Sequence, residues 1–273
     1  MKHSSYLLRL TAAALCVGLL SGCAIWKFET PEEQRAAQEA QEAKRAQVET
    51  AVDPASMQIN DLSFSRELVN SQETVLAAYR VTLPRFSESG LKSQSFSRIN
   101  RFFRNEYVGL DQDCQSFLED AKTGFGENWD NIKEVSSRPG ISVDYELLTA
   151  PVGYLTVCCR YSVWENSQND NYSRCTVFLL DNGWELTLET LFGTNYEKAA
   201  PLLMADILEW CEANDVDVTQ PERFSLSDFS EGYGLTTRGL LFYTQPFQLN
   251  NKDGSRYEIT VPLGRYLSLL NGK

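Results

Sequence analysis

Histidine is all but missing from this chain: the only one among 273 residues is His3. Ser-His-Asp and Cys-His nucleophilic machinery, imidazole-based zinc sites and histidine pH switches are therefore excluded from the body of the protein. No C-x-x-C spacing occurs among the seven cysteines, which argues against thiolate zinc and iron–sulfur sites, and no cofactor is expected. Basic residues are outnumbered 37 to 25, for a formal net charge of −12. A surface of that sign matches nucleic acid poorly, so nucleic acid is not an expected partner. Hydrolysis would have to run on carboxylates alone or on a Ser/Lys pair. No local motif for either is present, and a non-enzymatic protein is the expectation.

What is present begins near the first residues. Lys2 and Arg9 precede a short apolar run, Leu10 to Leu20, which ends in Leu20-Ser21-Gly22-Cys23. These four residues resemble a lipobox, at which bacteria attach diacylglycerol to a cysteine and cut just before it. Residues 1–22 then read as a lipoprotein signal peptide. The mature chain would start at Cys23, extracytoplasmic and lipid-anchored to the bacterial cell membrane. The alternatives are an ordinary secretory signal with an incidental Cys23, or a short anchor that is never removed. Later apolar stretches are too short to span a bilayer. From Glu32 to Thr50 the residues are mostly Glu, Gln, Ala, Lys and Arg, which gives no broad face to bury, so residues 23–54 read as a charged tether.

The body divides by pattern into a small α+β domain, residues 55–139, and a larger one, residues 140–273. In the first, Thr74 to Leu83 reads as a strand that ends at Pro84. Phe96, Ile99, Phe103, Tyr107, Leu110, Cys114 and Phe117 then recur at steps of three and four, predicting a helix whose stripe packs on a sheet. In the second, Ile141, Val143, Tyr145 and Leu147 alternate with polar residues, as do Leu155, Val157, Cys159, Tyr161 and Val163. With Asn166 to Asn171 as a loop before Cys175 to Leu180, these predict an antiparallel meander. Thr194-Asn195-Tyr196-Glu197 has capping-box spacing, although Pro201 argues for a later helix start. Gly239 to Gln245 and Arg256 to Val261 read as closing strands. The fold class is α+β, antiparallel sheets with packed helices.

Several segments resemble a known family. Gly183-Trp184-Glu185-Leu186-Thr187-Leu188-Glu189-Thr190-Leu191-Phe192 is similar to an element of the RsiV/PdaC-type extracellular domain, found in a lysozyme-sensing anti-sigma factor and beside a deacetylase. Phe224-Ser225-Leu226, Gly239 to Phe247 and Tyr257 to Leu263 look like its later strands. Val81 to Phe86 with Ile99-Asn100 resemble the small domain that often precedes it. The resemblance implies an RsiV-like C-terminal domain in a surface protein. Neither the deacetylase's catalytic domain nor the Gly-Gly-Ala-His turn common in the family is present.

Candidate site residues cluster near the 166–171 loop. Tyr161, Trp164 and Tyr172, with Arg174 and Arg160, put aromatic rings and charge beside amide side chains, as recognition of a protein or cell-wall glycan requires. The same rings serve equally as cross-strand core pairs. A loop centred at Ser167 would set Cys159 opposite Cys175, within reach of a disulfide, with two opposed thiols as the alternative. The loop's oxygen ligands lack the extra carboxylates and glycine of a calcium site and read as a solvated turn. Two other functions compete with ligand binding. One is a cell-wall glycan hydrolase working through two of Asp144, Glu146, Glu165 and Asp170. The other is a structural envelope assembly protein.

Overall fold

The computed structural model describes residues 51–52, 57–88, 92–165, 168–219, 225–229, 232–246, 248–249 and 254–271. The expected signal peptide, Cys23 and the tether as far as residue 50 lie outside these residues. Ala51–Val52, assigned to the tether, is a short strand β1 paired with Ala150–Pro151.

Strands β2 (Ile59–Val69) and β3 (Val75–Phe86) form an antiparallel hairpin. Its turn is tied by Asn70, whose Oδ1 accepts the N–H groups of Gln72 and Thr74 at 3.0 Å. Strand β3 runs straight through Pro84, where the sequence predicted its end. Residues 78 and 86 direct their amides away from β2: Ala78 bonds the Pro139 carbonyl and Phe86 bonds Asn100. Residues two apart face the same way, so Pro84's missing N–H also points away from β2. There the next strand does not reach, since it pairs only with Ala78–Val81, and a proline is tolerated.

Helix α1 (Ser93–Gly124) carries the chain back along the sheet, and β4 (Gly140–Leu148) pairs with β3 in parallel. This corrects the purely antiparallel expectation, because a long helical crossover returns the chain in the same direction. After β5 (Ala150–Pro151), β6 (Tyr154–Glu165) and β7 (Gln168–Leu179) complete a mixed five-stranded sheet of order β2-β3-β4-β6-β7. The sheet runs across the 139/140 division drawn from sequence. On its α1 side, Tyr79, Val81, Leu83, Ile99, Phe103, Cys114, Val143, Leu155, Val157 and Phe178 are all buried. The expected helical stripe is thus core.

The opposite face of β6 and β7 is covered by a second layer. Helix α2 (Leu188–Phe192) and helix α3 (Tyr196–Ala213) precede an antiparallel sheet of β8 (Tyr233–Leu235), β9 (Gly239–Tyr243) and β10 (Glu258–Pro262), ordered β10-β9-β8. Helix α3 starts directly at Tyr196, with Pro201 inside and no side-chain cap at Asn195, because a 3-10 turn over Gly193–Asn195 leads the chain in. Leu203, Ile207, Phe192, Phe242, Ile259 and Tyr266 form the second core with Val177 of β7. Thr156 Oγ donates to the Leu235 carbonyl at 2.6 Å, joining the layers through a fully buried polar contact. The architecture is α+β, as the sequence pattern predicted.

Candidate functional site

The β6–β7 hairpin decides which sequence-predicted residues meet. Its strands end at Glu165 and begin again at Gln168, so residues 168–171 lie in β7 rather than in the expected loop. Across the hairpin Tyr161 faces Tyr172 and Cys159 faces Arg174. The two tyrosine rings stack at 4.5 Å and 2°. All four side chains share the face that carries α1, since alternate residues of a strand share a face. Trp164, an odd number of residues from Tyr161, falls on the other face. It sits over Gly140, where a Cβ would come within 3.3 Å of the indole, and stays 41% exposed. The hairpin brings together Tyr161, Tyr172 and Arg174 and leaves Trp164 out.

Arg256, from the chain entering β10, closes the edge beside Tyr172. Its Nε and Nη2 donate to Asp170 Oδ1 and Oδ2 at 2.9 and 2.6 Å, and its Nη1 donates to Gln245 Oε1 at 2.7 Å. The guanidinium carbon lies 4.9 Å from the Tyr172 ring centroid. Hydrogen bonding from Arg256 holds the Asp170 carboxyl below the usual aspartate range. The Tyr172 ring is thus contacted by both Tyr161 and Arg256. A groove of about 460 Å³ runs there between sheet and helix, lined by Asn105, Glu106, Asp113, Tyr161, Tyr172 and Arg174. Arg174 lies 3.8 Å from Glu106. Beyond it, Glu185 has its carboxyl pushed up by burial and by Glu106, with Arg174 opposing. Burial likewise pushes up the Tyr161 hydroxyl, which stays protonated.

The sequence pattern missed Asn105, Glu106, Asp113 and Gln245 as lining residues of the groove, and Arg256 beside Tyr172. Asp113 follows Asp111 two residues on in α1. Asp111 itself is taken up by Arg66 at 2.5 Å.

Of the four carboxylates considered for hydrolysis, the three whose side chains are described do not line this groove. Asp144 and Glu146 are exposed on the sheet face away from α1, where Asp144 accepts from Ser142 Oγ at 3.0 Å and Glu146 pairs with Arg160. Asp170 is engaged by Arg256, and the Glu165 side chain lies outside the described residues. Among the described residues no three His, Cys, Asp or Glu side chains are grouped as a metal would need.

The expected Cys159–Cys175 opposition is also corrected. Cys175 faces Cys158, because the turn is centred between residues 166 and 167, half a residue from the assumed centre. That half step changes the partner and moves the pair to the opposite face. All five described cysteines are thiols.

Comparison with known proteins bears on the fold. No protein-family model and no curated protein matches the chain. Among solved structures, the chain is similar to a member of the DUF3298 family from Bacteroides fragilis, with a TM-score of 0.54 at 12% identity, covering 80% of this chain and 94% of that one. A DUF3298 family protein from Pseudomonas aeruginosa aligns with a TM-score of 0.49 at 10% identity, over 80% of this chain and 95% of that one. The α+β fold is that of the Bacteroides protein.

Proposed function

We propose that this chain is a lipid-anchored bacterial surface protein, held by diacylglycerol on Cys23, that binds a protein or cell-wall glycan ligand without turning it over. The single observation that carries the binding role is the groove between α1 and the β6–β7 hairpin. Its hydroxyls, amides, carboxylates and one guanidinium converge on a volume of about 460 Å³, the size and chemistry of a site for a polar ligand. The sequence resemblance to RsiV/PdaC-type surface domains favours the extracytoplasmic setting. Two tyrosines fixed by stacking supply recognition surface at little entropic cost. The acidic balance of the chain favours a cationic protein as partner.

The test is capture by the full chain, in mild detergent, of peptidoglycan fragments and of cationic secreted proteins, lysozyme among them. Tyr172→Ala and Arg174→Ala lower the retained amount at least several-fold, while Trp164→Ala, on the other face, leaves it unchanged. Equal capture by all three variants removes the groove from the proposal. Reproducible cleavage of the glycan instead overturns the non-enzymatic reading. Self-association without ligand capture points to envelope assembly.

A further inference from the structure

On the sheet face away from α1, Cys158 and Cys175 stand directly opposite each other across β6 and β7, 1% and 5% exposed. The Leu180 N–H bonds the Gly153 carbonyl at 2.8 Å, which makes that pair hydrogen-bonded. Bonded and non-bonded pairs alternate along an antiparallel ladder, so five steps on, Cys158 and Cys175 form a non-bonded pair. In such pairs the Cα atoms approach to about 4.5 Å and the side chains lean together. That spacing lies inside the range of about 4.4–6.8 Å that a disulfide spans.

The surroundings hold both sulfurs in place. A Cβ built on Gly234 of β8 would lie 3.2 Å from Cys175 Sγ and 3.3 Å from the Thr156 methyl, so β8 packs closely against this pair. Cys158 Sγ donates to the Tyr243 hydroxyl at 3.7 Å. Tyr243 in turn lines a cavity of about 330 Å³ with Arg160, Ser173 and Glu258. Cys159, adjacent in sequence, points to the α1 face and cannot compete.

We propose that Cys158 and Cys175 are an oxidisable pair that closes a cross-strand disulfide by exchange with a small-molecule or protein disulfide. The Cys158 thiolate attacks one sulfur of the oxidant, forming a mixed disulfide and expelling one thiolate. Cys175 then gives up its proton and attacks the Cys158 sulfur. The new S–S bond forms as the second thiolate leaves, so two protein thiols are oxidised and one external disulfide is reduced to two thiols. The hydrogen bond shared by the two thiols lowers the Cys158 pKa and raises that of Cys175. The closed bond pins the hairpin that carries Tyr161, Tyr172 and Arg174 on its other face.

The test is incubation of the full 273-residue chain with glutathione disulfide, followed by alkylation, proteolysis and mass spectrometry. The expected product has lost two hydrogens and yields one linked peptide pair joining Cys158 to Cys175. Cys159→Ala gives the same product, and Cys158→Ala and Cys175→Ala give none. The wild-type measurement stands even where a variant fails to fold. Both thiols remaining alkylatable in the folded chain, a linkage through Cys159, or arrest at the glutathione adduct would each overturn the proposal.

Discussion

Asn100 on α1 completes the hydrogen bonding of Phe86 at the end of β3. Its Oδ1 accepts the Phe86 N–H at 2.8 Å and its Nδ2 donates to the Phe86 carbonyl at 2.8 Å, so the side chain mimics the strand that β4 does not extend far enough to provide. The amide also donates to Glu88 Oε1 at 3.0 Å, and Asn100 is 5% exposed. Only an amide offers a donor and an acceptor in that plane. Asn100→Ala orphans two buried backbone groups, at about 1–3 kcal/mol each. Asn100→Asp sets a carboxylate against the Phe86 carbonyl and Glu88. Urea unfolding is expected to show both variants destabilised by at least about 2 kcal/mol, and a loss under half of that would mean water replaces the amide.

Gly183 sits at φ +72°, and a Cβ there would lie 2.3 Å from the Ser95 carbonyl oxygen at the start of α1. Left-handed backbone costs a non-glycine residue about 1–2 kcal/mol before any clash. Gly183→Ala should therefore lower Tm by about 4 °C or more. An unchanged melting point in calorimetry would show that the turn moves off α1 without loss.

The Arg256–Asp170 fork is expected to contribute about 1 kcal/mol, since the Asp170 side chain is 54% exposed and the charges are screened. Because Asp170 has a lowered folded pKa, its contribution is present above the ordinary aspartate pKa of 3.8 and is lost as pH falls through the folded value. Arg256→Ala should flatten that acid limb of the stability profile, and Arg256→Lys should recover only part of it because an ammonium cannot form the fork. Identical acid limbs in wild type and Arg256→Ala would sink this assignment.

Burial pushes the Cys159 thiol up to about 12 from 9.0 and the Tyr145 hydroxyl, which donates to Asp61, up to about 12 from 10.0. Both groups are neutral in the fold, so their contribution is complete below their unfolded values and is lost as pH rises toward 12. Stability measured by urea is expected to fall between pH 9 and 12. Cys159→Ala, which removes this thiol, should retain a shallower slope. A slope unaltered by that change would place the alkaline sensitivity elsewhere.

Helix α1 was readable because its stripe is a local property. Ile99, Phe103, Leu110 and Cys114 recur at the helical period, and all four are buried on the sheet. The alternation in β4 and β6 was readable for the same reason, with Val143, Leu155 and Val157 on the inner face. Pro84 misled because its effect depends on which side of β3 has a neighbour. The cysteine pairing misled because a change of one residue in the turn switches both partner and face. The site was half legible: Tyr161, Tyr172 and Arg174 share one hairpin, whereas Arg256 reaches Asp170 from 86 residues away.

The sequence by itself determined the α+β class, the long amphipathic helix and the strands that cover it, because each rests on residue type and short-range period. Only the tertiary structure decided that β3 and β4 run parallel, that Trp164 parts from the tyrosines, that Cys158 faces Cys175, and that Glu106, Asp113 and Arg256 gather around Tyr172. Those relationships depend on strand register and on contacts between distant segments, and neither is encoded in the spacing of neighbouring residues.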